Sequence, residues 1–475
     1  MKLDPTQCYR ALRSHDARFD GRFFVGVSTT RIYCRPVCTA RTPLRDHCRF
    51  FPSAAAAEAG GFRPCLRCRP ELAPGFATVD ANRRLAQSAA GLIEDGQLAD
   101  ARLPDIAATL GVTDRHLRRV FQDEFGVAPI AYAQTQRLLL AKRLLTDTGM
   151  AVVDVALASG FASLRRFNHL FRTRYRMTPV ELRHKAPARA PTDRLAFELA
   201  YRPPYDWEAM LAFLERRAIA GVEAVAGGKY VRTVRIGSAV GWVEVAPSKR
   251  KPALRVTVSA SLAGALPQVL ARVKHLFDLA CHPDEIAAAL GPLAQARPGL
   301  RLPGAMEGFE VAVRAILGQQ VTVKAAATLA ARFAAAFGEP VATPHPALTT
   351  LFPAPAAVAA LEPGDIASKG IIASRARAIA ALACEIDSGR LRLDPSAAVE
   401  STVASLQALP GVGPWTAQYI AMRALAWPDA FPHPDVAVLK AMERTGARAL
   451  AHAEAWRPWR AYAVMHLWKS LEQRP

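Results

Sequence analysis

The sequence predicts a multidomain protein. It combines a small α+β cysteine-rich domain, an all-α domain of two helix-turn-helix units, and an α+β domain whose N-terminal sheet leads into a mostly helical remainder. Three observations carry that reading. Six of the eight cysteines lie within the first 68 of 475 residues. A pattern with a period of about 50 residues occurs twice between Asp105 and Pro179. Beyond residue 194, strand-like alternation gives way to long alanine-rich helical patterns. At roughly 100–200 residues per domain, the length agrees with about three domains.

A hydrophobic fraction of 51% supplies ordinary cores and excludes wholesale disorder. The formal net charge of +20 points to a polyanion, of which nucleic acid is the commonest inside cells. A basic surface kept for solubility is the plainer alternative. The charge is uneven: residues 1–190 carry +13 and the remainder +7. The first twenty residues are charged throughout and lack an apolar run, so no secretory signal is expected. No stretch holds about 18 uncharged apolar residues, so no membrane association is expected and a cytoplasmic protein is.

Residues 1–75 read as the first domain, ending in the stretch Pro70 to Gly75. Cys34 and Cys38 are separated by three residues, Cys65 and Cys68 by two. In a reducing compartment such pairs are better explained by metal binding than by disulfides. Two close pairs can converge on one tetrahedral Zn2+, with four thiolates at about 2.3 Å. Spacing leaves two uses open: a closed ribbon that holds a small domain together, or a reactive centre. Four thiolates on one zinc leave a net negative site with nucleophilic sulfurs. Arg31, Arg35, Arg41, Arg45, Arg49, Arg63, Arg67 and Arg69 surround the pairs and could bring a phosphate diester beside a sulfur. Cys281 and Cys384 are expected to be buried packing residues in helical context.

Three segments carry a resemblance: Phe23-Phe24-Val25-Gly26-Val27, Thr29 through Cys38 (TTRIYCRPVC), and Gly61 through Cys68 (GFRPCLRC). Together they resemble the N-terminal domain of the Ada methylation-response regulators, over about residues 5–72. The resemblance implies one zinc ion held by Cys34, Cys38, Cys65 and Cys68. It also implies that Cys34 takes a methyl group irreversibly from a DNA methylphosphotriester. Cys8 and Cys48 have no counterpart and receive no role. Methylation would turn the Cys34 thiolate into a thioether and remove one negative charge from a DNA-facing surface. Affinity for DNA would then rise in a salt-dependent way.

Residues 76–184 form the second domain. Asp105-Ile106-Ala107 ahead of Gly111 recurs as Asp154-Val155-Ala156 ahead of Gly160. Each copy continues into an arginine-rich helix, a phenylalanine (Phe121, Phe171) and a proline (Pro129, Pro179). Two copies are too few for a solenoid and fit two helix-turn-helix units. Ala156, Gly160, Phe161, Ser163, Phe167, Phe171, Arg172, Thr178 and Pro179 are similar to the signature of AraC-type DNA-binding domains. That resemblance implies a recognition helix from about Leu164 to Arg174, presenting Arg165, Arg166, Asn168 and His169 to bases or phosphates. A second, from Arg115 to Gln122, would present Arg115, His116, Arg118 and Arg119 to the adjacent groove. The phenylalanines are expected in the core. Glycine usually ends the last recognition helix in that family, whereas Arg176 stands here, at a cost of about 1 kcal/mol if left-handed. Residues 185–193, with Pro187 and Pro191, read as a linker.

The remainder divides into an α/β part over 194–300 and a helical part over 301–475. Strand alternation is visible in Leu195–Tyr201, Tyr230–Ile236 and Leu254–Ser259. Leu409 through Ala417 (LPGVGPWTA) sets a Gly-Val-Gly turn before a helix, suited to a DNA phosphate through Gly411, Gly413 and Thr416. Asp435 follows Gly413 by 22 residues, in Pro432-His433-Pro434-Asp435. An aspartate there is also an ordinary helix cap, and the two roles are compatible. Hairpin and aspartate at this distance resemble the helix-hairpin-helix DNA glycosylases. Tyr201–Trp207, Leu276–Leu279, Arg301–Gly304, Arg314–Val321 and Trp456–Arg460 are similar to the 3-methyladenine DNA glycosylase II (AlkA) family, over about residues 195–472.

By that resemblance Asp435 stabilises positive charge on the deoxyribose as the glycosidic bond breaks. Trp415, Tyr419 and Trp468 line a pocket that attracts cationic bases such as 3-methyladenine and 7-methylguanine. The lesion is flipped out of the helix, and Gln320 stands where the family has a leucine wedge. Glycosylases that also cut the backbone carry a lysine where this chain has Trp415, so only base removal is expected. With two cysteines in this domain, no iron–sulfur cluster is expected. The Pro-Cys-His-Arg motif of the alkyltransferase domain is missing, so repair of O6-methylguanine is not expected.

The sequence thus predicts a fusion of methyl acceptor, transcriptional activator and base-removing glycosylase. Its expected partners are double-stranded DNA, both alkylated and promoter, and RNA polymerase, and the chain is expected to be a monomer. The rival is a non-enzymatic DNA-binding regulator with a structural zinc and a glycosylase fold that only binds lesions.

Overall fold

A computed structural model describes residues 4–16, 19–73, 81–94, 103–185, 193–444 and 446–472. The expected linker falls largely outside them. The chain folds into two compact units. One comprises residues 1–203, 247–271 and 279–281; the other comprises 204–246, 272–278 and 282–475.

The first unit opens with a helix, Pro5–Arg13, capped by Asp4, whose side chain accepts from Thr6 N–H. Its sheet has the order β3-β1-β2-β4 (β1 Phe24–Val27, β2 Ile32–Cys34, β3 Cys48–Phe51, β4 Arg63–Pro64). β1 pairs antiparallel with β2 and β3, and β4 pairs parallel with β2. Apolar residues of both faces are used. Phe23 and Val25 pack against the first helix through Cys8, Ala11 and Leu12. Phe24, Tyr33 and Phe62 pack with Ala54 and Ala57 of the helix Ala54–Ala59 and with Leu139.

Leu139 belongs to the long helix Pro129–Asp147, which connects the two helix-turn-helix copies. The copies are built alike. Helix Leu103–Thr109 turns at Gly111 into Asp114–Phe125, and helix Val152–Ala158 turns at Gly160 into Leu164–Tyr175. Thr113 and Ser163, 50 residues apart in sequence, cap the second helix of each copy by accepting from His116 N–H and Arg166 N–H. The expected aromatic core is present: Phe121, Phe125, Phe167 and Phe171 are fully buried. β5 (Arg194–Ala200) and β9 (Ala253–Ser259) also belong to this unit and pair antiparallel, Leu195 opposite Val258.

The second unit begins with the helix Trp207–Glu215 and the antiparallel β6 (Glu223–Ala226), β7 (Lys229–Ile236) and β8 (Ala239–Pro247). Helices then dominate. Gly308–Leu317 is buried along most of its length and packs on the hairpin helix Pro414–Arg423. A buried charge network ties it down: Arg232 binds Glu310 at 2.6 Å, and Arg314 binds Glu223 at 2.6 Å and Glu310 at 2.8 Å. Glu310 is held below the usual carboxylate range because Arg232 and Arg314 outweigh its burial. Among the described residues no helix is long and apolar enough to cross a membrane.

One expectation is corrected here. Cys281 is buried but lies outside a helix, and Cys384, on the helix Ala373–Asp387, is exposed. Its position on a helix with an apolar face did not determine which way it points.

Candidate functional site

The sheet register brings the four cysteines together. Parallel pairing sets Tyr33 opposite Pro64, and Cys65 N–H donates to Tyr33 C=O at 3.0 Å. Cys34 and Cys65 therefore leave the two strands side by side. A turn closed by Cys38 N–H on Arg35 C=O returns Cys38 to the same point. The four sulfurs lie within 4.8 Å of one another, a spacing that fits one ion bound by four thiolates at about 2.3 Å. Four thiols this close cannot all lose their protons unless a cation offsets the charge. A divalent cation suits such a set, and the four cysteines form a site for one zinc. Cys38 and Cys65 are buried; Cys34 is partly exposed.

Not all the surrounding arginines are free for a phosphate. Arg35 is buried against Asp20 and donates to Cys68 C=O at 3.2 Å, and its backbone N–H donates to Cys68 Sγ at 3.3 Å. Arg69 binds Asp147 through two bonds of 2.7 Å. Both serve the interior. Arg31, Arg41, Arg45, Arg49 and Arg67 remain exposed.

On the helix-turn-helix copies, Arg115, Arg118 and Arg119, and Arg165, Arg166, Asn168 and His169, are all exposed. Arg118 is drawn to Asp114 at 3.0 Å. Arg176 ends its helix in the left-handed conformation, φ 53°, at the place where the first copy has Gly126, φ 74°. A non-glycine residue occupies the strained position.

In the second unit Asp435 is the point of convergence. It caps the helix Val436–Met442, its Oδ1 accepting from Val438 N–H at 2.9 Å. Trp468 Nε1 donates to the same oxygen at 3.1 Å, and Trp415 Nε1 donates to Oδ2 at 2.8 Å. Trp415 stacks on Tyr419 at 5.3 Å, and Tyr419 lies 6.3 Å from Trp468. Burial would raise the Tyr419 phenol, but Arg423, Arg217 and Arg314 outweigh it and hold it below its usual value. Arg423 donates to the phenol oxygen at 2.8 Å and to Gly304 C=O at 2.9 Å.

The loop that delivers Asp435 is anchored by Arg460, buried and bound to both oxygens of Asp429 at 2.7 and 2.9 Å. Phe431 N–H donates to Gln418 Oε1 at 3.0 Å. The hairpin closes with Val412 N–H on Leu409 C=O; Gly411 takes φ 76°, and Gly413 caps the helix that carries Trp415. The first-turn N–H groups of that helix have no intrahelical acceptor and suit an anion.

Thr416 is buried and its hydroxyl accepts from Gln319 Nε2 at 2.9 Å, so its side chain supports the hairpin from within. Gln320 is exposed and left-handed, φ 53°, at the turn after Gly308–Leu317. Sequence reasoning missed three residues. Gln319 also donates to Gly411 C=O at 2.8 Å, bracing the hairpin against the turn that carries Gln320. It lies in the Arg314–Val321 stretch that carries the resemblance, where it was given no role. Phe213 and Arg217 line a slot of about 30 Å3 with Met465 and Trp468, and the Arg217 guanidinium sits 3.8 Å from the Phe213 ring centre. Helical periodicity marks Phe213 only as core.

Comparison with known proteins matches four segments of the chain. Residues 7–71 match the metal binding domain of Ada, and 106–185 a helix-turn-helix domain. Residues 196–307 match the AlkA N-terminal domain, and 313–455 the HhH-GPD superfamily of base excision DNA repair proteins. Among solved structures, the 3-methyladenine DNA-glycosylase from Archaeoglobus fulgidus has the same fold over 58% of this chain and 99% of its own, with TM-score 0.50 at 20% identity. Fold and site define a DNA-binding protein that joins a zinc-binding regulatory half to a base-excision glycosylase half. A probable bifunctional transcriptional activator/DNA repair enzyme AlkA of Mycobacterium tuberculosis is 40% identical over 488 residues, covering 99% of this chain and 97% of that protein. DNA-3-methyladenine glycosylase 2 of Escherichia coli is 40% identical over 273 residues, covering 57% of this chain and 96% of its own. The chain belongs to the family of bifunctional transcriptional activator/DNA repair enzymes AlkA.

Proposed function

We propose that the protein senses and repairs alkylated DNA: Cys34 accepts methyl groups from methylphosphotriesters, the helix-turn-helix pair then activates repair genes, and the second unit hydrolyses the glycosidic bond of alkylated bases. The observation that carries the repair reading is the Asp435 carboxylate, fixed by three N–H donors from three different elements. A group held so firmly can meet charge developing on the sugar without reorganising.

Held by Cys34, Cys38, Cys65 and Cys68, a zinc ion would keep the four thiolates deprotonated and leave the site net negative. The Cys34 sulfur attacks the methyl carbon of the triester. A C–S bond forms, the C–O bond breaks, and its electron pair leaves on the phosphate as an ordinary diester. Cys34 becomes a thioether and is spent.

In the second unit, the alkylated base departs with the pair of the C1′–N bond. Asp435 stabilises the resulting positive charge at C1′, and water adds there, losing its proton to solvent. An abasic site and a free base remain. Tyr419, Trp415 and Trp468 flank the base, and Gln320 stands at the exposed turn that would fill the vacated stack. The chain works as a monomer, and the promoter-bound form recruits RNA polymerase.

The test uses duplex DNA with labelled methyl groups on phosphates and on adenine N3. Label transfers to the wild type and not to Cys34→Ser, and 3-methyladenine is released by the wild type and not by Asp435→Asn. If both variants behave as wild type, the chain is a DNA-binding regulator without either reaction.

A further inference from the structure

The second unit contains a cavity of about 550 Å3 that the repair chemistry does not use. It opens between the helices Pro283–Leu290, Val436–Met442 and Arg460–Leu471, on residues other than Trp415, Tyr419, Asp435 and Trp468. Its size is that of a small-molecule site.

The lining has three parts. Trp456 and His452 meet edge to face at 5.0 Å and 90°, and form one aromatic wall. His466 lies in the lining with 6% of its surface exposed, and its ring nitrogens are not among the buried atoms left without a partner. An imidazole in the wall of an open cavity can hydrogen-bond to what fills it. Burial pushes His466 down to about 4, so at neutral pH it offers one donor and one acceptor instead of a charge. Arg297, Arg444 and Lys469 supply the third part, and no carboxylate belongs to the lining. Arg297 is engaged by Asp206 and Lys469 by Glu472, whereas the exposed Arg444 side chain has no acidic partner among the described residues.

We propose that this cavity binds a nucleotide. Its planar base lies against Trp456, its edge hydrogen-bonds with His466, and its phosphate meets Arg444. Aromatic wall, neutral hydrogen-bonding group and unpaired cation are the three groups that a heterocycle carrying a phosphate requires. The cavity stands apart from the base pocket, although His466 and Trp468 share a helix. The same chemistry is offered by a free mononucleotide and by a nucleotide within single-stranded DNA. The experiment separates them.

Titration calorimetry of the full-length zinc-loaded protein uses dGMP and, separately, a five-nucleotide single strand. Saturable dGMP binding is expected. Arg444→Ala and Trp456→Ala should each weaken it about tenfold, while Asp435→Asn should bind as wild type. Tighter binding of the strand than of dGMP, lost in the same two variants, assigns the cavity to a nucleotide within DNA. Melting temperature and release of 3-methyladenine by Arg444→Ala and Trp456→Ala verify that both variants are folded. No saturation up to about 1 mM of either probe overturns the proposal. So does binding that Asp435→Asn abolishes, or that Arg444→Ala and Trp456→Ala leave intact.

Discussion

At the scale of single residues, the structure explains why some side chains are irreplaceable and others are burdens. Trp415 does two things at once: its ring stacks on Tyr419 and its N–H holds Asp435 Oδ2. Trp415→Phe keeps the first and deletes the second. Loss of a hydrogen bond to a charged group costs about 1.5–3 kcal/mol. Release of 3-methyladenine should slow by roughly tenfold or more in kcat, with a smaller change in KM, measured under single turnover. Arg176 is a burden, a left-handed arginine where the other copy has glycine. Arg176→Gly should stabilise the helix-turn-helix region by up to about 1 kcal/mol, seen as a higher melting temperature, and a decrease would show that the arginine side chain compensates. Cysteine and aspartate chemistry was legible in sequence because residue type and short spacing carry it. Phe213 and Gln319 were not, because each acts through a contact with a distant segment that no local pattern encodes.

Elements show the same contrast. The second helix of each helix-turn-helix copy was legible because turn glycines and phenylalanines recur about 50 residues apart, and a repeat survives weak propensity. β1 to β4 span only two to four residues each, too short for a period of two to register. β6 and β8 escaped because short or glycine-containing strands are fixed by pairing with β7 more than by their own composition.

The helix Ala54–Ala59 contributes a further test. It carries Glu58, buried, with Tyr33 O–H donating to Oε1 at 2.9 Å and Thr135 O–H to Oε2 at 3.1 Å. Burial raises its carboxyl from 4.5 to about 7, against the smaller opposing pull of those hydrogen bonds. The folded protein therefore holds a proton that the unfolded chain has already lost. Stability from this group is present below about pH 4.5 and falls as pH rises to about 7. Glu58→Gln removes the titration and keeps the shape. Its melting temperature relative to wild type should climb across that window and level off above it, by an amount equivalent to about 3 kcal/mol. A flat difference would show that Glu58 titrates normally.

For the whole molecule, the division into two units sets what can fail alone. The zinc ligands belong to the first unit; Asp435 and its tryptophans belong to the second. Metal binding and folding are coupled in small zinc domains. Stripping zinc with a strong chelator should abolish methyl uptake and lower the first melting transition, while release of 3-methyladenine persists. Loss of both activities together would show that the units depend on one another. The charge excess was legible at this scale, but its destination was not: Arg35 and Arg69 look like DNA contacts in sequence and are internal ties in the fold.

The slot beside Trp468 has a last consequence. At about 30 Å3 it admits a water or two and no purine. Its walls include Trp468 but not Trp415, Tyr419 or Asp435, so it is packing space against Trp468 and not the seat of the base. Phe213→Ala would widen that space and loosen the ring whose N–H holds Asp435 Oδ1. Release of 3-methyladenine should slow in that variant, and an unchanged rate would show that Trp468 is held without Phe213.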